Sequence, residues 1–274
     1  MFLLVDIGNS HIKVALAAGR EIMQVWRMES RASRTTDEYV ALLQSWLGSS
    51  EQYQQGVLER LIVASVVVSI QQQLVPALEQ LTQHTAVHVS SDLLIDLGLL
   101  HFLVDNHPEV GADLLVSAVA ALVFDDSAEH DSGHDSEHDS EHRLVIDMGS
   151  ATTFNLLTRP HHFGGVSIAP GLEASEQALR QRAPALPPIA LQVPDSPLGH
   201  NTVSAIQAGI VLGYVSMLEG MIARIADANT TRTLVIATGG SSSLLAPACN
   251  RIDHIAPNLT LDGLAIIAGA LAKN

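Results

Sequence analysis

One short pattern occurs twice in this chain of 274 residues and constrains its fold more than any other feature. An apolar run ends in an Asp-x-Gly turn at 3–10, and the same layout returns at 144–150. Each turn is followed by a second apolar run. The two aspartates, Asp6 and Asp147, lie 141 positions apart, about the length of one domain. A repeat at this spacing predicts two related domains.

The composition limits the classes of partner and compartment. Hydrophobic residues make up 47% of the chain and charged residues 16%, which is typical of a folded globular protein. A formal net charge of −15 argues against nucleic acid or an anionic membrane surface as partners. The single cysteine, Cys249, cannot form an internal disulfide, so we expect a reducing, cytoplasmic setting. The apolar start is too short for a signal peptide, and we expect no membrane span.

Strand-like and helix-like segments alternate along the chain. Short apolar runs predict strands at 2–5, 12–17, 22–26, 61–68, 87–89, 144–146, 152–157 and 233–237. Apolar residues at helical spacing predict helices at 36–47, 70–81, 111–124, 172–180, 202–226 and 261–272. This order predicts an α/β fold. We expect an N-terminal domain at 1–112 and a C-terminal domain at 113–274.

Residues 125–142 form a low-complexity tract of His, Asp, Ser and Glu. Four histidines recur every fourth position: His130, His134, His138 and His142. Without apolar residues the tract cannot pack, so we expect a disordered, solvated surface loop. The spacing also permits a Zn²⁺ or Ni²⁺ site on one helical face, which is the alternative interpretation.

The two Asp-x-Gly turns contain the residue types that a phosphate-binding site needs. Successive backbone amides next to glycine form a concavity for phosphate oxygens, and an aspartate at a strand end can hold Mg²⁺. Lys13 and the amide of Asn9 add contacts that compensate phosphate charge. A single Asp-x-Gly is more often an ordinary turn, but two of them plus Gly239 and Gly240 after another strand favour a phosphate site. P-loop and dinucleotide signatures are absent.

Seven blocks follow one another in the order found in one enzyme family. They are Asp6-Ile7-Gly8-Asn9-Ser10 with Lys13, Gly111-Ala112-Asp113, Asp147 to Thr153, Gly164-Gly165 with Ile168 to Gly171, Gly199 to Thr202, Thr238-Gly239-Gly240 and Leu259 to Leu264. Together they resemble the type III pantothenate kinases over nearly the whole chain. The resemblance implies two duplicated ribonuclease-H-like domains of the actin-like ATPase class flanking a nucleotide cleft, and ATP-dependent phosphorylation of pantothenate, the first step toward coenzyme A.

The resemblance also implies roles for individual residues. ATP phosphates and Mg²⁺ are bound by Asp6, Ile7, Gly8, Asn9, Ser10, His11, Ile12 and Lys13. Ser150, with Gly239 and Gly240, also contacts the nucleotide, and Asp147 helps to hold a monovalent cation, K⁺ or NH₄⁺. Asp113 is the general base, and the acceptor pocket is lined by Gly111, Ala112, Asp113, Leu114 and Thr202. The family also implies a homodimer.

Three positions depart from the family pattern, all in the acceptor region. Leu114 stands where the family typically has Arg, Val104 where it usually has Tyr, and His200 where it usually has Lys. Leu cannot supply the forked donors that an Arg offers to a carboxylate. Two alternatives therefore stand beside the pantothenate kinase: a nucleotide-binding regulatory relative, and a kinase for another small hydroxy compound. Asp113 itself has an alternative role as a carboxylate that stabilises a helix N-terminus.

Overall fold

The structure, a computed structural model, describes residues 1–124, 142–229 and 232–273. The chain divides into two compact units, one of residues 1–123 with 258–274 and one of residues 124–257. This division differs from the expected domains 1–112 and 113–274. The helix at 112–122 and the C-terminal helix belong to the first unit because they pack on each other and on its sheet. The histidine tract at 125–141 lies outside the described residues, whereas His142 begins a strand.

The first unit contains a five-stranded sheet. Its strands are β1 (Phe2–Ile7), β2 (His11–Ala18), β3 (Glu21–Glu29), β4 (Arg60–Ser65) and β5 (Ala86–His88). They lie in the order β3-β2-β1-β4-β5, with β1, β2 and β3 antiparallel and β1, β4 and β5 parallel. A further short strand, β6, spans His101–Phe102.

Among the described residues, six helices belong to the first unit. They are α1 (Thr36–Gly48), α2 (Glu51–Gln55), α3 (Val68–Thr82), α4 (Ser91–Asp96), α5 (Ala112–Leu122) and α10 (Leu259–Leu271), with one 3₁₀ turn at His107–Glu109. Helix α1 begins with a capping box, in which Thr35 and Glu38 satisfy each other's backbone amides. Thr35 and Glu38 therefore fix where α1 starts.

The second unit repeats the same sheet. Its strands are β7 (His142–Met148), β8 (Ala151–Thr158), β9 (His162–Pro170), β10 (Thr233–Thr238) and β11 (His254–Ile255), and within the unit they follow the order β9-β8-β7-β10-β11. β7, β8 and β9 are antiparallel, and β7, β10 and β11 are parallel. Its helices are α6 (Leu172–Arg182), α7 (Thr202–Gln207), α8 (Gly213–Asp227) and α9 (Ser242–Leu245). A π-helical turn at Ala208–Leu212 joins α7 to α8, and a 3₁₀ turn at Ala246–Ala248 follows α9.

The duplication extends to an irregularity in the sheets. In the first unit the pairing of β2 with β3 shifts between Leu16 and Ala17, and in the second the pairing of β8 with β9 shifts between Leu156 and Leu157. Both bulges begin four residues after the first paired residue that follows the turn, Ile12 in one unit and Thr152 in the other. The shared strand order and shared bulge confirm the predicted α/β fold of two duplicated ribonuclease-H-like units.

The alternation of side chains along β1 positions the first aspartate. Leu3, Val5 and Ile7 face one side and form a core with α1 and α3. Leu4 and Asp6 therefore face the other side, where α10 packs against β1, β3 and β4. In the second unit, residues of β7 such as Leu144 and Ile146 form a core with α8.

One helical segment bears on the expectation that the chain has no membrane span. The continuous segment Thr202–Asp227 is long and apolar enough to do so by length and composition. It is not an uninterrupted apolar run, because Ser204, Gln207 and Glu219 lie within it. A single helix of this kind is weak evidence for a membrane span, since buried core helices can have the same length and composition. Tyr214, Val215, Leu218 and Ile222 of α8 are buried in the core of the second unit.

Candidate active site

Three side chains, two from one hairpin and one from the far end of the chain, meet on the face of the first sheet against which α10 packs. Asp6 on β1 lies directly opposite Lys13 on β2, and Lys13 Nζ is 3.5 Å from Asp6 Oδ2. Thr260, in the first turn of α10, donates its hydroxyl to Asp6 Oδ2 at 3.1 Å. Lys13 Nζ in turn donates to Thr260 Oγ1 at 3.2 Å. The result is a compact group with a carboxylate, an ammonium and a hydroxyl held in fixed relation.

Asp113 lies in the same unit, in the first turn of α5. Its Oδ1 accepts the backbone N–H of Leu114 at 2.8 Å. Burial raises the pKa of the Asp113 carboxyl above its usual range, and the negative charge of Asp6 raises it further, while the N–H of Leu114 acts in the opposite direction. Asp113 and Asp6 are thus close enough to interact electrostatically. A partly buried carboxylate with a raised pKa is a suitable proton acceptor.

Gly111, directly before α5, leaves room for this carboxylate. A Cβ added at Gly111 would lie 2.6 Å from Asp113 Oδ1 and 3.4 Å from Val66 Cγ1. Any larger residue would therefore displace the Asp113 side chain. The predicted group Gly111, Ala112, Asp113 is one structural element, in which the glycine permits the position of the aspartate.

The turn between β1 and β2 contains the other predicted phosphate ligands. Its residues are Gly8, Asn9, Ser10 and His11, and the N–H of Gly8 donates to His11 O at 3.0 Å. Ile7 and Ile12 close the hairpin as the last paired residues. The loop thus joins the strand that carries Asp6 to the strand that carries Lys13.

The corresponding turn of the second unit is one residue shorter. Gly149 donates its N–H to Ala151 O at 3.0 Å, and the hairpin closes at Met148 and Thr152. Asn9 therefore has no counterpart in the shorter turn. Near this turn the hydroxyls of Thr152 and Tyr214 are hydrogen-bonded in the buried interior.

Asp147 lies at the end of β7, against the turn that follows β10. Gly239 has φ +90°, and a Cβ there would lie 2.6 Å from Met148 N and Met148 C and would also meet Asp147 Oδ1. Only glycine fits this close approach. Ser241 N–H donates to Met148 O at 3.0 Å, which fixes the two segments together. Among described residues nothing lies within 4 Å of a Cβ at Gly240, so sterics do not require that glycine.

Thr202 and His200 lie in the second unit, at the start of α7. Asn201 caps this helix through a capping box with Ser204. Thr202 and His200 line a cavity of about 600 Å³ together with Leu179 and Leu186. Gly111 to Leu114 belong to the first unit, so the predicted acceptor residues come from both units.

Leu114, the most consequential departure from the family pattern, is buried on α5 with 7% of its surface exposed. Its side chain thus contributes to the packing of the first unit. Val104 is partly buried in the segment between β6 and α5. Neither side chain can donate or accept a hydrogen bond in place of the family's Arg and Tyr.

The family resemblance implies roles for Asp6, Lys13 and Asp113 but none for Thr260. Thr260 stands within the block Leu259 to Leu264 that carries the family resemblance, so a signal was present. The block could not show that its threonine reaches Asp6, since the two residues lie 254 positions apart.

The family model of type III pantothenate kinases matches residues 2–224. Proteins with that name from Brevibacillus brevis and Myxococcus xanthus are 35% and 34% identical to this chain over 271 and 269 residues, covering 97% and 98% of it and 98% of each relative. One from Dehalococcoides mccartyi strain CBDB1 is 34% identical over 263 residues, or 96% of this chain and 93% of that protein.

Two solved structures share the fold at low identity. A Baf family protein from Campylobacter jejuni aligns with a TM-score of 0.55 at 17% identity, over 99% of this chain and 100% of that one. The ethanolamine utilization protein EutJ from Carboxydothermus hydrogenoformans aligns with a TM-score of 0.54 at 10% identity, over 97% of this chain and 89% of that one. On the family model and the curated relatives, this chain belongs to the type III pantothenate kinase family.

Proposed function

We propose that this chain transfers the terminal phosphoryl group of ATP to the primary hydroxyl of pantothenate. Membership of the type III pantothenate kinase family supports the reaction, and the group of Asp6, Lys13 and Thr260 facing Asp113 carries its assignment to particular atoms. Phosphoryl transfer depends mainly on positioning and charge neutralisation. The group supplies one ammonium and one carboxylate, and Asp113 supplies a second carboxylate nearby.

Asp113 is assigned as the general base. A primary alcohol is a weak nucleophile, and a carboxylate within hydrogen-bonding reach accepts its proton as the new bond to phosphorus forms. The raised pKa of Asp113 increases its basicity once the carboxyl is ionised. Gly111 is assigned to keep the space that the carboxylate occupies, and Ala112, Leu114 and Thr202 to line the acceptor pocket with it.

The β1–β2 turn and its flanking residues, Asp6 to Lys13, are assigned to the phosphates of ATP. Lys13 places its ammonium beside Asp6, where it can compensate phosphate charge. Within the described residues no group of three or more His, Cys, Asp or Glu side chains forms a metal cluster. Mg²⁺ usually binds through one or two carboxylates plus substrate phosphates, and Asp6 is assigned as one such carboxylate. When bound, Mg²⁺ would neutralise charge on the phosphate oxygens.

Residues of the second unit are assigned to the nucleotide and to a monovalent cation. Ser150 lies in the β7–β8 turn, and Gly239 and Gly240 follow β10. Asp147, whose carboxylate packs against Gly239, offers an oxygen of the kind that K⁺ or NH₄⁺ contacts. We further propose a cytoplasmic homodimer, supported by the family resemblance and, for the compartment, by the single buried cysteine.

The test is direct detection of the phosphorylated product. The purified chain is incubated with ATP, Mg²⁺, K⁺ and pantothenate, and mass spectrometry follows the gain of one phosphoryl group. Pantetheine, which has the same primary hydroxyl but lacks the carboxylate, is the control acceptor. A panel of other small hydroxy compounds is assayed in parallel. Product from pantothenate is the expected result. ATP binding without product from pantothenate would overturn the proposal, and product from another acceptor alone would redirect it.

A further inference from the structure

Ser30, the residue that follows β3, makes two hydrogen bonds to the β1–β2 turn. Its hydroxyl donates to Gly8 O at 2.6 Å, and its backbone N–H donates to Ser10 O at 2.9 Å. One residue therefore holds two carbonyl groups of a four-residue turn. Ser30 is not among the site residues predicted from the sequence.

These bonds determine the direction of the turn's amide groups. In a planar trans peptide the N–H points away from the C=O. Because Gly8 O is turned toward the hydroxyl of Ser30, the N–H of Asn9, in the same peptide plane, is turned away from it. The backbone N–H of Ser30 also holds Ser10 O. The peptide plane between Ser10 and His11 is therefore fixed as well. The backbone N–H groups of Asn9 and His11 therefore point to the side of the turn opposite Ser30.

The second unit contains the same arrangement in an independent copy. Gly171 follows β9 as Ser30 follows β3, and its N–H donates to Ser150 O at 3.2 Å. A Cβ at Gly171 would collide with Gly149 O and would lie 2.9 Å from the carbonyl carbon of Ser150. The backbone of Gly171 therefore approaches the turn directly, whereas the longer first turn is reached by the hydroxyl of Ser30. In each unit, the residue that follows the third strand, Ser30 after β3 or Gly171 after β9, donates its backbone N–H to a carbonyl of the turn.

We propose that Ser30 is a positioning residue for ATP, which aims the amides of the β1–β2 turn at the bound phosphates. Ser30 touches the turn and not the phosphates, so its effect passes through Gly8, Asn9 and Ser10. The proposal rests on the proposed function, because it takes this turn as the phosphate-binding element. It deepens that function by naming the residue that preorganises the turn.

The test compares Ser30→Ala with Ser30→Thr, which keeps the hydroxyl. Ser49→Ala is the matched control, since Ser49 Oγ donates to Trp46 O at 3.0 Å away from the turn. Steady-state kinetics give KM for ATP, KM for pantothenate and kcat, and thermal unfolding gives Tm. We expect Ser30→Ala to raise KM for ATP about five- to tenfold, the effect of one ordinary hydrogen bond, with KM for pantothenate unchanged. Ser30→Thr restores most of the ATP affinity, and Ser49→Ala leaves all kinetic constants at wild-type values.

Three results would overturn the proposal: an unchanged KM for ATP in Ser30→Ala, an equal rise in both KM values, or failure of Ser30→Thr to restore ATP affinity when its Tm matches wild type. The wild-type enzyme separates this proposal from the function itself. If wild type converts pantothenate and Ser30→Ala matches it, only the role of Ser30 fails. If wild type shows no turnover, the proposed function fails first, and fluorescence titration with an ATP analogue then tests Ser30 alone.

Discussion

Thr260 and Asp6 are 254 positions apart in the sequence, and the hydroxyl of Thr260 donates to Asp6 Oδ2 at 3.1 Å. The bond ties the first turn of the C-terminal helix to the first strand of the chain. Lys13 completes the group by donating to the same hydroxyl. The C-terminal helix is therefore part of the candidate active site and not only of the core.

Removing the Thr260 hydroxyl tests this relation. Thr260→Val keeps the shape but deprives a buried carboxylate of a donor, and a hydrogen bond to a charged group is worth about 1.5–3 kcal/mol. We expect kcat/KM for ATP to fall about ten- to a hundredfold. Thr260→Ser keeps the hydroxyl and serves as the control, with activity close to wild type. A folded Val variant with normal kinetics would contradict a functional role for Thr260.

The raised pKa of Asp113 predicts a pH-dependent gain in stability for Asp113→Asn. Burial and the charge of Asp6 disfavour the ionised carboxyl in the folded state. The wild-type protein therefore loses stability as pH rises from the usual carboxyl range through the folded-state pKa of Asp113. We expect Asp113→Asn to have the higher Tm at pH 7, and the difference to vanish below about pH 3, where the unfolded carboxyl is also largely protonated. Thermal unfolding across that range checks it, and a lower Tm for the variant at pH 7 would contradict the assigned burial.

Two glycines of α10 should respond oppositely to alanine. A Cβ at Gly263 would overlap Val116 O and lie 2.6 Å from Val116 C, because α5 and α10 approach closely there. Gly263→Ala should therefore cost about 1–3 kcal/mol or more of unfolding free energy. Gly269 has no described atom within 4 Å of its Cβ position, so Gly269→Ala should gain about 0.5–1 kcal/mol. Urea unfolding measures both, and equal effects would contradict the close packing of these helices.

The other end of α10 is held by Arg60. Its Nη2 donates to Leu271 O at 2.7 Å, at the C-terminus of the helix, where a positive charge is favourable. We expect Arg60→Ala to lower the free energy of unfolding by about 1–2 kcal/mol. Arg31→Ala is the control, since its ion pair with Glu29 is exposed and contributes little. Similar losses in the two variants would show that the bond to Leu271 adds no stability.

Leu114→Arg tests whether the missing cation limits pantothenate binding. An Arg beside Asp113 could pair with the carboxylate of the acceptor, an interaction worth about 1.5–3 kcal/mol. We expect KM for pantothenate to fall about tenfold or more while KM for ATP stays constant. Leu114→Met, which keeps the buried apolar volume, is the control. A folded Arg variant with an unchanged KM for pantothenate would show that the pocket no longer depends on this position.

The sequence predicted the parts of the site that are built from local patterns. Asp6 and Lys13 belong to one hairpin, so a strand-turn-strand reading was enough to place them near each other. Asp113 stands two residues after a glycine at a helix start, which is also a local signal. Thr260 could not be placed, because its contact depends on where α10 packs after the whole chain has folded.

The fold was predicted in class but not in every element. The predicted strands do not include β9, since Gly164 and Gly165 weaken strand propensity, yet pairing with β8 makes it a strand. The division into domains assumed that sequence neighbours stay together. α10 follows β11 in sequence but packs against α5 and β1, so the last helix belongs to the unit that contains the N-terminus.

The most direct test of the account is the transfer of phosphate from γ-labelled ATP to pantothenate in a single turnover. Wild type is compared with Asp113→Asn and with the control Asp262→Asn. Asp262 also lies in the first turn of a helix of the first unit, and burial raises the pKa of its carboxyl as well. We predict rapid labelling of pantothenate by wild type and by Asp262→Asn, and a loss of about a hundredfold or more in Asp113→Asn with ATP binding retained. Equal labelling rates for Asp113→Asn and wild type would contradict the central claim.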